Sequence, residues 1–330
     1  MASKKTRARP SDGRSRRFQQ KQTEMKWRLF FSLLVMGAVI GVMVFLRARM
    51  QTPTLADVQI TKEPSAPPAM ADEAYIEQSL EIRFLDVGEG DAALVSCEGH
   101  HMLIDGGRPE SSDMIYTVLK DLGITHLDSI VCTHPHEDHA GGLAAALRAA
   151  TAGTAYAPEA GYSGRSYENF TDALKEQSVP LTAPSPGDRF FLGSAEVTFL
   201  APVDLSLAEE IENNASIILR IVYGNTSFLF TGDAESAEEL SLLDTKTDIR
   251  STVLKAGHHG SFSSSTDVFL DAVKPEYCVI SCAADNPYEH PHEVMLRRLS
   301  NRNITVYRTD LQGDIICRSD GETVTFSTQR

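Results

Sequence analysis

Three histidines and one aspartate fall within six residues in the segment Thr133-His134-Pro135-His136-Glu137-Asp138-His139-Ala140-Gly141-Gly142, directly after the apolar run 128–133. In a turn leaving a strand, His134 and His136 can point to one side. Asp138 and His139 then open the following helix and can face a second point close by. Imidazole and carboxylate donors in this combination suit Zn²⁺, Mn²⁺ or iron rather than Ca²⁺. Gly141 and Gly142 remove side chains where backbone must approach the site closely. A solvated His-rich loop is the alternative, and spacing this tight disfavours it.

Two further segments could complete such a centre. Leu229-Phe230-Thr231-Gly232-Asp233 is an apolar strand ending in a carboxylate able to bridge two ions. Lys255-Ala256-Gly257-His258-His259-Gly260-Ser261 follows another apolar run and brings two more imidazoles. Alone, each is weak, because an Asp at a strand end is commonly a helix cap. Their order along the chain, after the His134–His139 cluster, is harder to obtain by accident.

The elements that must position these residues are short. Strand-length apolar runs are predicted at 80–87, 91–97, 101–104, 128–133, 194–200, 216–223, 226–231, 250–255, 276–282, 304–308, 313–318 and 322–327. Helical stretches are predicted near 110–122, 140–150, 166–177, 234–244, 265–273 and 292–300. Hairpins followed by alternating strands and helices predict an α/β domain of mixed sheets covered by helices over residues 79–330.

Charge divides the chain. Residues 1–50 carry twelve Lys/Arg against Asp12 and Glu24, a net of +10, whereas residues 51–330 carry 19 Lys/Arg against 43 Asp/Glu, a net of −24. An acidic domain does not hold nucleic acid by bulk electrostatics. Hydrophobic residues at 42% and charged residues at 23% exclude a disordered or collagen-like chain. Leu29–Leu46 is free of charge and, as a helix, would run roughly 27 Å, enough to cross a hydrocarbon core. Ten cations precede it and only Arg47 and Arg49 follow. The positive-inside rule therefore predicts a single-pass anchor at 29–46, a basic cytoplasmic segment at 1–28 and a catalytic domain outside the cell. A cleavable signal peptide would have a shorter apolar core and a better small-residue site than Thr54-Leu55-Ala56. Residues 47–78, with Pro53, Pro64, Pro67 and Pro68, read as a linker. Cys97, Cys132, Cys278, Cys282 and Cys317 lack metal-ligand spacing and read mostly as small buried hydrophobes; a Cys278–Cys282 pairing stays open.

The chain resembles the metallo-β-lactamase-fold hydrolases, and within them the extracytoplasmic hydrolase domain of ComEC-type competence proteins. The resemblance rests on Phe84–Ala92, Leu103-Ile104-Asp105-Gly106-Gly107, the His134–Gly142 motif, Asn213-Asn214-Ala215-Ser216, Thr231-Gly232-Asp233, His258-His259-Gly260-Ser261, Asn286–Pro291 and Thr309–Gly313. It implies an αββα sandwich of two mixed sheets, preceded here by one transmembrane helix, with two divalent ions (Zn or Mn) at one edge. By the same resemblance His134 and His136 would bind the first ion. Asp138, His139 and one of His258 and His259 would bind the second, with His258 the assigned ligand, and Asp233 would bridge them. Asp105 would orient a ligand His from behind, and Asn214 lies in the supporting shell. Catalysis would depend on Asp138, Asp233 and His259, the last donating to a phosphoryl oxygen if it is not a ligand. Many relatives place a His about twenty residues before the bridging Asp, where this chain has Asn213, Asn214 and Ser216, so the first ion would be held more weakly.

Around the centre, Ser261 and the serines after it could bind phosphate or simply cap a helix. His290 could contact substrate, and Tyr288 could stack on a base. Arg297, Arg298, Arg302 and Arg308 form a local basic group for which a solvated face is the favoured reading. Three functions compete. The first is a membrane-anchored, extracytoplasmic metal-dependent phosphodiesterase, a nuclease acting on single-stranded DNA in DNA uptake or scavenging. The second is a hydrolase of a wall polymer, small phosphodiester or lactone. The third is a non-catalytic tethered partner of a separate DNA-channel protein.

Overall fold

The computed structural model describes residues 79–159, 164–209 and 211–330. The expected segments 1–28, 29–46 and 47–78 lie outside the described residues, among which no helix is long and apolar enough to cross a membrane. The chain runs β1 (Leu80–Phe84), β2 (Ala93–Cys97), β3 (His100–Ile104), α1 (Ser112–Asp121), β4 (His126–Val131), α2 (Glu137–Ala140), α3 (Leu143–Ala149), β5 (Thr151–Tyr156) and α4 (Arg165–Gln177). It continues through β6 (Leu181–Thr182), β7 (Arg189–Leu192), β8 (Ala195–Ala201), β9 (Ile218–Tyr223), β10 (Thr226–Phe230), α5 (Ser236–Asp244), β11 (Val253–Lys255) and α6 (Asp267–Val273). The last elements are β12 (Tyr277–Ile280), α7 (Glu293–Ser300), β13 (Thr305–Arg308), α8 (Thr309–Gln312), β14 (Ile315–Ser319) and β15 (Val324–Thr328).

These strands build an eight-stranded sheet, ordered β15-β14-β1-β2-β3-β4-β5-β6, and a seven-stranded sheet, ordered β13-β12-β11-β10-β9-β8-β7. Both are mixed. The first turns from antiparallel to parallel at β3 and the second at β10. Alternation along each strand sorts the side chains into three apolar layers. Val95, Met102, Ile104, Phe228 and Val253 fill the space between the sheets. Their strand neighbours Leu94 and Leu103 face outward onto Ile115, Leu119, Leu143 and Phe170 of α1, α3 and α4. On the other side Leu229, Leu254 and Ile280 meet Leu242, Phe269 and Leu296 of α5, α6 and α7. Strands buried on both faces read as continuous apolar runs, which is why their positions are legible in the sequence. The result is the expected α/β sandwich of two mixed sheets between helices.

The differences have local causes. The expected helix at 140–150 is two helices, α2 and α3, separated at Gly141-Gly142. A Cβ on Gly141 would stand 2.3 Å from the Arg108 carbonyl carbon, and one on Gly142 2.3 Å from the Gly106 oxygen. The two glycines thus admit the backbone of residues 106–109 rather than an ion. β5, β6 and β7 have no counterpart in the predicted strands: β5 is built from small residues, Thr-Ala-Gly-Thr-Ala-Tyr, and β7 exposes Phe191. All five cysteines are free and buried, so Cys278 and Cys282 do not pair.

The parallel strands aim their carboxyl ends at one edge. Asp105 follows β3, His134 follows β4, Asp233 follows β10 and His258 follows β11. This is the place where α/β sheets bind ligands, outside strand C-termini and next to the switch in strand direction. The ring of Phe84 on β1 stacks on that of Phe230 on β10 at 5.7 Å, tying the two sheets together just beneath this edge. Phe84→Ala is expected to destabilise the fold by about 3–5 kcal/mol, measured by urea unfolding.

Candidate metal centre

Asp138, His139, Asp233 and His259 offer one ligand atom each, all within 4.8 Å of one another. His139 Nε2 stands 3.3 Å from Asp233 Oδ1, and His259 Nε2 stands 3.4 Å from Asp138 Oδ2 and 3.6 Å from Asp233 Oδ2. His139 Nε2, His259 Nε2 and Asp233 Oδ1 are buried with no hydrogen-bond partner. Buried polar atoms are ordinarily satisfied. Here several converge on one point with the donor set of a divalent transition ion.

Beside this group, His134 Nε2 faces His136 Nδ1 at 3.1 Å and Asp233 Oδ2 at 3.8 Å. The other ring nitrogen of each His is already engaged. His136 Nε2–H donates to Glu212 at 2.8 Å, and His134 Nδ1 lies 3.3 Å from Thr133 Oγ1 and 3.4 Å from Ser216 Oγ. The two facing ring nitrogens stand close enough together to serve one cation in place of their mutual hydrogen bond. His258 Nε2 also stands 3.8 Å from Asp233 Oδ2, but His258 lies outside the four-residue group, which includes His259.

Carboxylates fix the orientation of the rings. His139 Nδ1–H donates to Asp105 Oδ2 at 2.9 Å, while Thr133 donates through N and Oγ1, each at 2.7 Å, to the two Asp105 oxygens. His259 Nδ1 lies 3.1 Å from Ser281 O and 3.2 Å from Asp91 Oδ1. Asp91 is itself paired with buried Lys255, Nζ to Oδ1 at 2.8 Å. Such partners set the tautomer and raise the basicity of metal-ligating imidazoles. Glu212 and Glu235 have no signal in the sequence, and Asp91, Lys255 and Ser216 stand there only inside longer motifs, without these supporting contacts.

Electrostatics favour a cation. Burial opposes a charged His259 ring, but the carboxylates of Asp233, Asp138 and Asp91 overcome it and hold its pKa up to about 10. His139 is likewise driven well above the ordinary range by Asp233 and Asp105 despite burial. Burial raises the Asp91 carboxyl, yet Lys255 and His259 outweigh it and hold the pKa at about 2. Asp138 and Asp233 are held down by the same imidazoles against burial. His134 is different: burial, then the neighbouring His139 charge, push it well below its usual value, which keeps its lone pair available.

The remaining expected residues have definite places. Asn214 is buried and its Oδ1 accepts from Glu235 N; it is Asn213 whose Nδ2 reaches Glu235 and His258. Ser261 Oγ lies 3.0 Å from Ser263 Oγ within its own turn, while Thr266 caps α6. Tyr288 and His290 line the pocket together with His136, Asp138, Asp233 and His258. His290 Nδ1–H donates to Glu89 Oε1 at 2.6 Å, and exposed Tyr288 stacks on its ring at 5.7 Å. The arginine group is neutralised. Arg297 pairs with Glu293, Arg302 with Asp267 and Asp271, and Arg308 with Asp310, while Arg298 Nη1 donates to backbone oxygens of Phe262 and Ser264.

An incoming cation must displace the protons on His139 and His259, so its affinity rises with pH until they are lost and falls toward acid. Metal titration by calorimetry at pH 8 and pH 6 is expected to show weaker binding at pH 6. Asp105→Asn removes the acceptor behind His139, and an affinity loss of about 10- to 100-fold is expected in the same titration.

The family model of the Metallo-beta-lactamase superfamily matches residues 85–284. ComE operon protein 3 of Bacillus subtilis (strain 168) is 29% identical over 265 residues, covering 75% of this chain and 34% of its own length. Competence protein ComA of Neisseria gonorrhoeae is 32% identical over 245 residues, covering 73% of this chain and 32% of its own. The chain thus spans about a third of the length of these relatives. Among solved structures, a variant of the CmlA β-hydroxylase of Streptomyces venezuelae shares the fold, with a TM-score of 0.51 at 14% identity over 73% of this chain and 54% of its own. The chain belongs to the metallo-β-lactamase superfamily, and its folded domain is of the kind found in ComEC-family competence proteins.

Proposed function

We propose that this protein is a membrane-anchored, extracytoplasmic metal-dependent phosphodiesterase that cleaves single-stranded DNA in uptake or scavenging. The observation that carries the reading is the convergence of Asp138, His139, Asp233 and His259 on one point in a pocket that also presents Tyr288 and His290. The competence relatives supply the DNA context. In this reading residues 1–28 lie in the cytoplasm, 29–46 form the anchor, 47–78 form the linker, and the domain from residue 79 faces outward. A separate DNA-channel protein is the partner this reading would expect.

The chain's own residues divide the work. Asp138, His139, Asp233 and His259 would hold one divalent ion, and His134 and His136 would serve a second beside Asp233. Zn²⁺ or Mn²⁺ held there would supply Lewis-acid polarisation of a phosphoryl oxygen and an activated water. Asp105, Asp91 and Glu212 keep the imidazoles pointed inward. Glu89 commits Nδ1 of His290 and leaves Nε2 for a substrate oxygen. Tyr288, more than half exposed and backed by the His290 ring, offers a stacking face for an unpaired base.

One observation favours a second reading, a wall polymer or small phosphodiester as substrate. The domain is acidic, and its local arginine group is paired with its own carboxylates and backbone oxygens. A long polyanion would meet repulsion beyond the centre. Cleavage of labelled single-stranded DNA beside a chromogenic phosphodiester, with added Mn²⁺ or Zn²⁺, separates the two. Both activities are expected, and Asp233→Asn and His134→Ala are expected to lower each by more than about 100-fold, beyond the usual cost of losing a supporting residue. Undiminished cleavage in both variants overturns the assignment. Cleavage of the small ester alone moves the substrate away from DNA.

A further inference from the structure

The pocket over the candidate centre has a second hollow beside it. Within the segment 288–293, Tyr288 and His290 line the pocket, while Glu289, His292 and Glu293 line a neighbouring groove of about 610 Å³ together with Phe262, Val294 and Arg298. That volume is within the usual range of small-ligand sites, about 300–1,000 Å³. The turn after β11 divides in the same way: His258 and His259 line the pocket and Phe262 lines the groove.

A row of rings joins the two hollows. Between centroids, His258 lies 5.4 Å from His290, His290 lies 5.0 Å from His292, and His292 lies 5.1 Å from Phe262. Tyr288 stacks on His290 at 5.7 Å. His290 is buried, and the open rings are those at the ends of the row Tyr288–His290–His292–Phe262, Tyr288 at 55% exposure and Phe262 at 60%.

A single exposed phenylalanine is ordinary, but Phe262 is also held still. Its N–H donates to His292 Nδ1 at 3.1 Å, and its carbonyl oxygen accepts from Arg298 Nη1 at 3.1 Å. The same Nη1 donates to Ser264 O at 2.9 Å, and His292 N donates to Gly260 O at 3.0 Å. The turn is thus laced to α7 and to the residue before it, and the ring stands in solvent on a fixed backbone. Fixing an apolar ring in water does not help folding. It does lower the ordering cost of binding a ligand.

Charge in the groove selects the kind of ligand. Glu289 and Glu293 place carboxylates on its wall, Glu293 pairs with Arg297, and the guanidinium of Arg298 is engaged with backbone oxygens. Such a wall repels a phosphate. It accepts a flat neutral ring, whose exocyclic amino group can donate to a carboxylate.

We propose that Phe262, backed by His292, is a second base-stacking face: a single strand crosses the centre with one base on Tyr288 and another, further along the strand, on Phe262. This rests on the single-stranded DNA reading above and deepens it, since the preferred substrate becomes a strand of several nucleotides instead of a small ester.

The test compares kcat/KM of the full-length chain, loaded with Mn²⁺, for a single-stranded decadeoxyadenylate and for methyl p-nitrophenyl phosphate, an ester too short to reach the groove. Phe262→Ala is expected to lower the ratio of strand to ester about 5- to 150-fold, through a higher KM for the strand, as for the loss of one base–aromatic stack. Phe262→Tyr keeps a ring face and is expected to retain most of the ratio. An unchanged ratio in Phe262→Ala overturns the inference and leaves the nuclease reading in place. So does an equal fall for both substrates, or a Phe262→Tyr variant as impaired as Phe262→Ala, because the ring would then support the turn and not meet a base. A wild type that does not cleave the strand overturns the single-stranded DNA reading itself, and the inference with it.

Discussion

A carboxylate withdrawn from water needs positive charge or hydrogen bonds around it, and Asp233 sets that demand for the whole edge of the sandwich. It is almost fully buried, at 2% exposure, at the end of β10. Its two oxygens are approached by His134, His139, His258 and His259 at 3.3–3.8 Å. The layers beneath exist to hold this meeting. The change from antiparallel to parallel pairing in each sheet delivers the carboxyl ends of β3, β4, β10 and β11 to one place. The inter-sheet core, with Phe84 on Phe230, fixes their separation.

Around that carboxylate the chain accepts local strain. Asp105, His258 and His259 all have positive φ without being glycine. Each of these residues touches the centre, which is where unfavourable backbone is expected to be retained for function. The close contacts through Gly106, Gly141 and Gly142 have the same origin, since the loop after β3 must pass against the start of α3 to bring Asp105 behind His139. Stability away from the centre is supplied by three well-filled apolar layers.

Much of this was legible in the sequence because the signals were local. Doubly buried strands give unbroken apolar runs, and the His134–His139 cluster sits within one turn after such a strand. Asp233 stands at a strand end, where residue type and position coincide, whereas Asp105 came only with the family resemblance. What was not legible depends on contacts distant in sequence. Asp91 and Lys255 form a buried ion pair across the two sheets, and Glu212 reaches His136 from 76 residues away. Nothing in a single chain of letters couples such residues. The distinction between His258 and His259 turns on backbone angles, which two identical neighbours cannot announce. The short strands β5 to β7 escaped because small or exposed residues carry little periodic signal.

The most direct measurement is an anomalous difference map from crystals of the protein loaded with Mn²⁺. The account predicts density beside Asp233, within reach of Asp138, His139 and His259, together with a second peak on the side of His134 and His136. Anomalous density elsewhere in the domain, with none against Asp233, would contradict it.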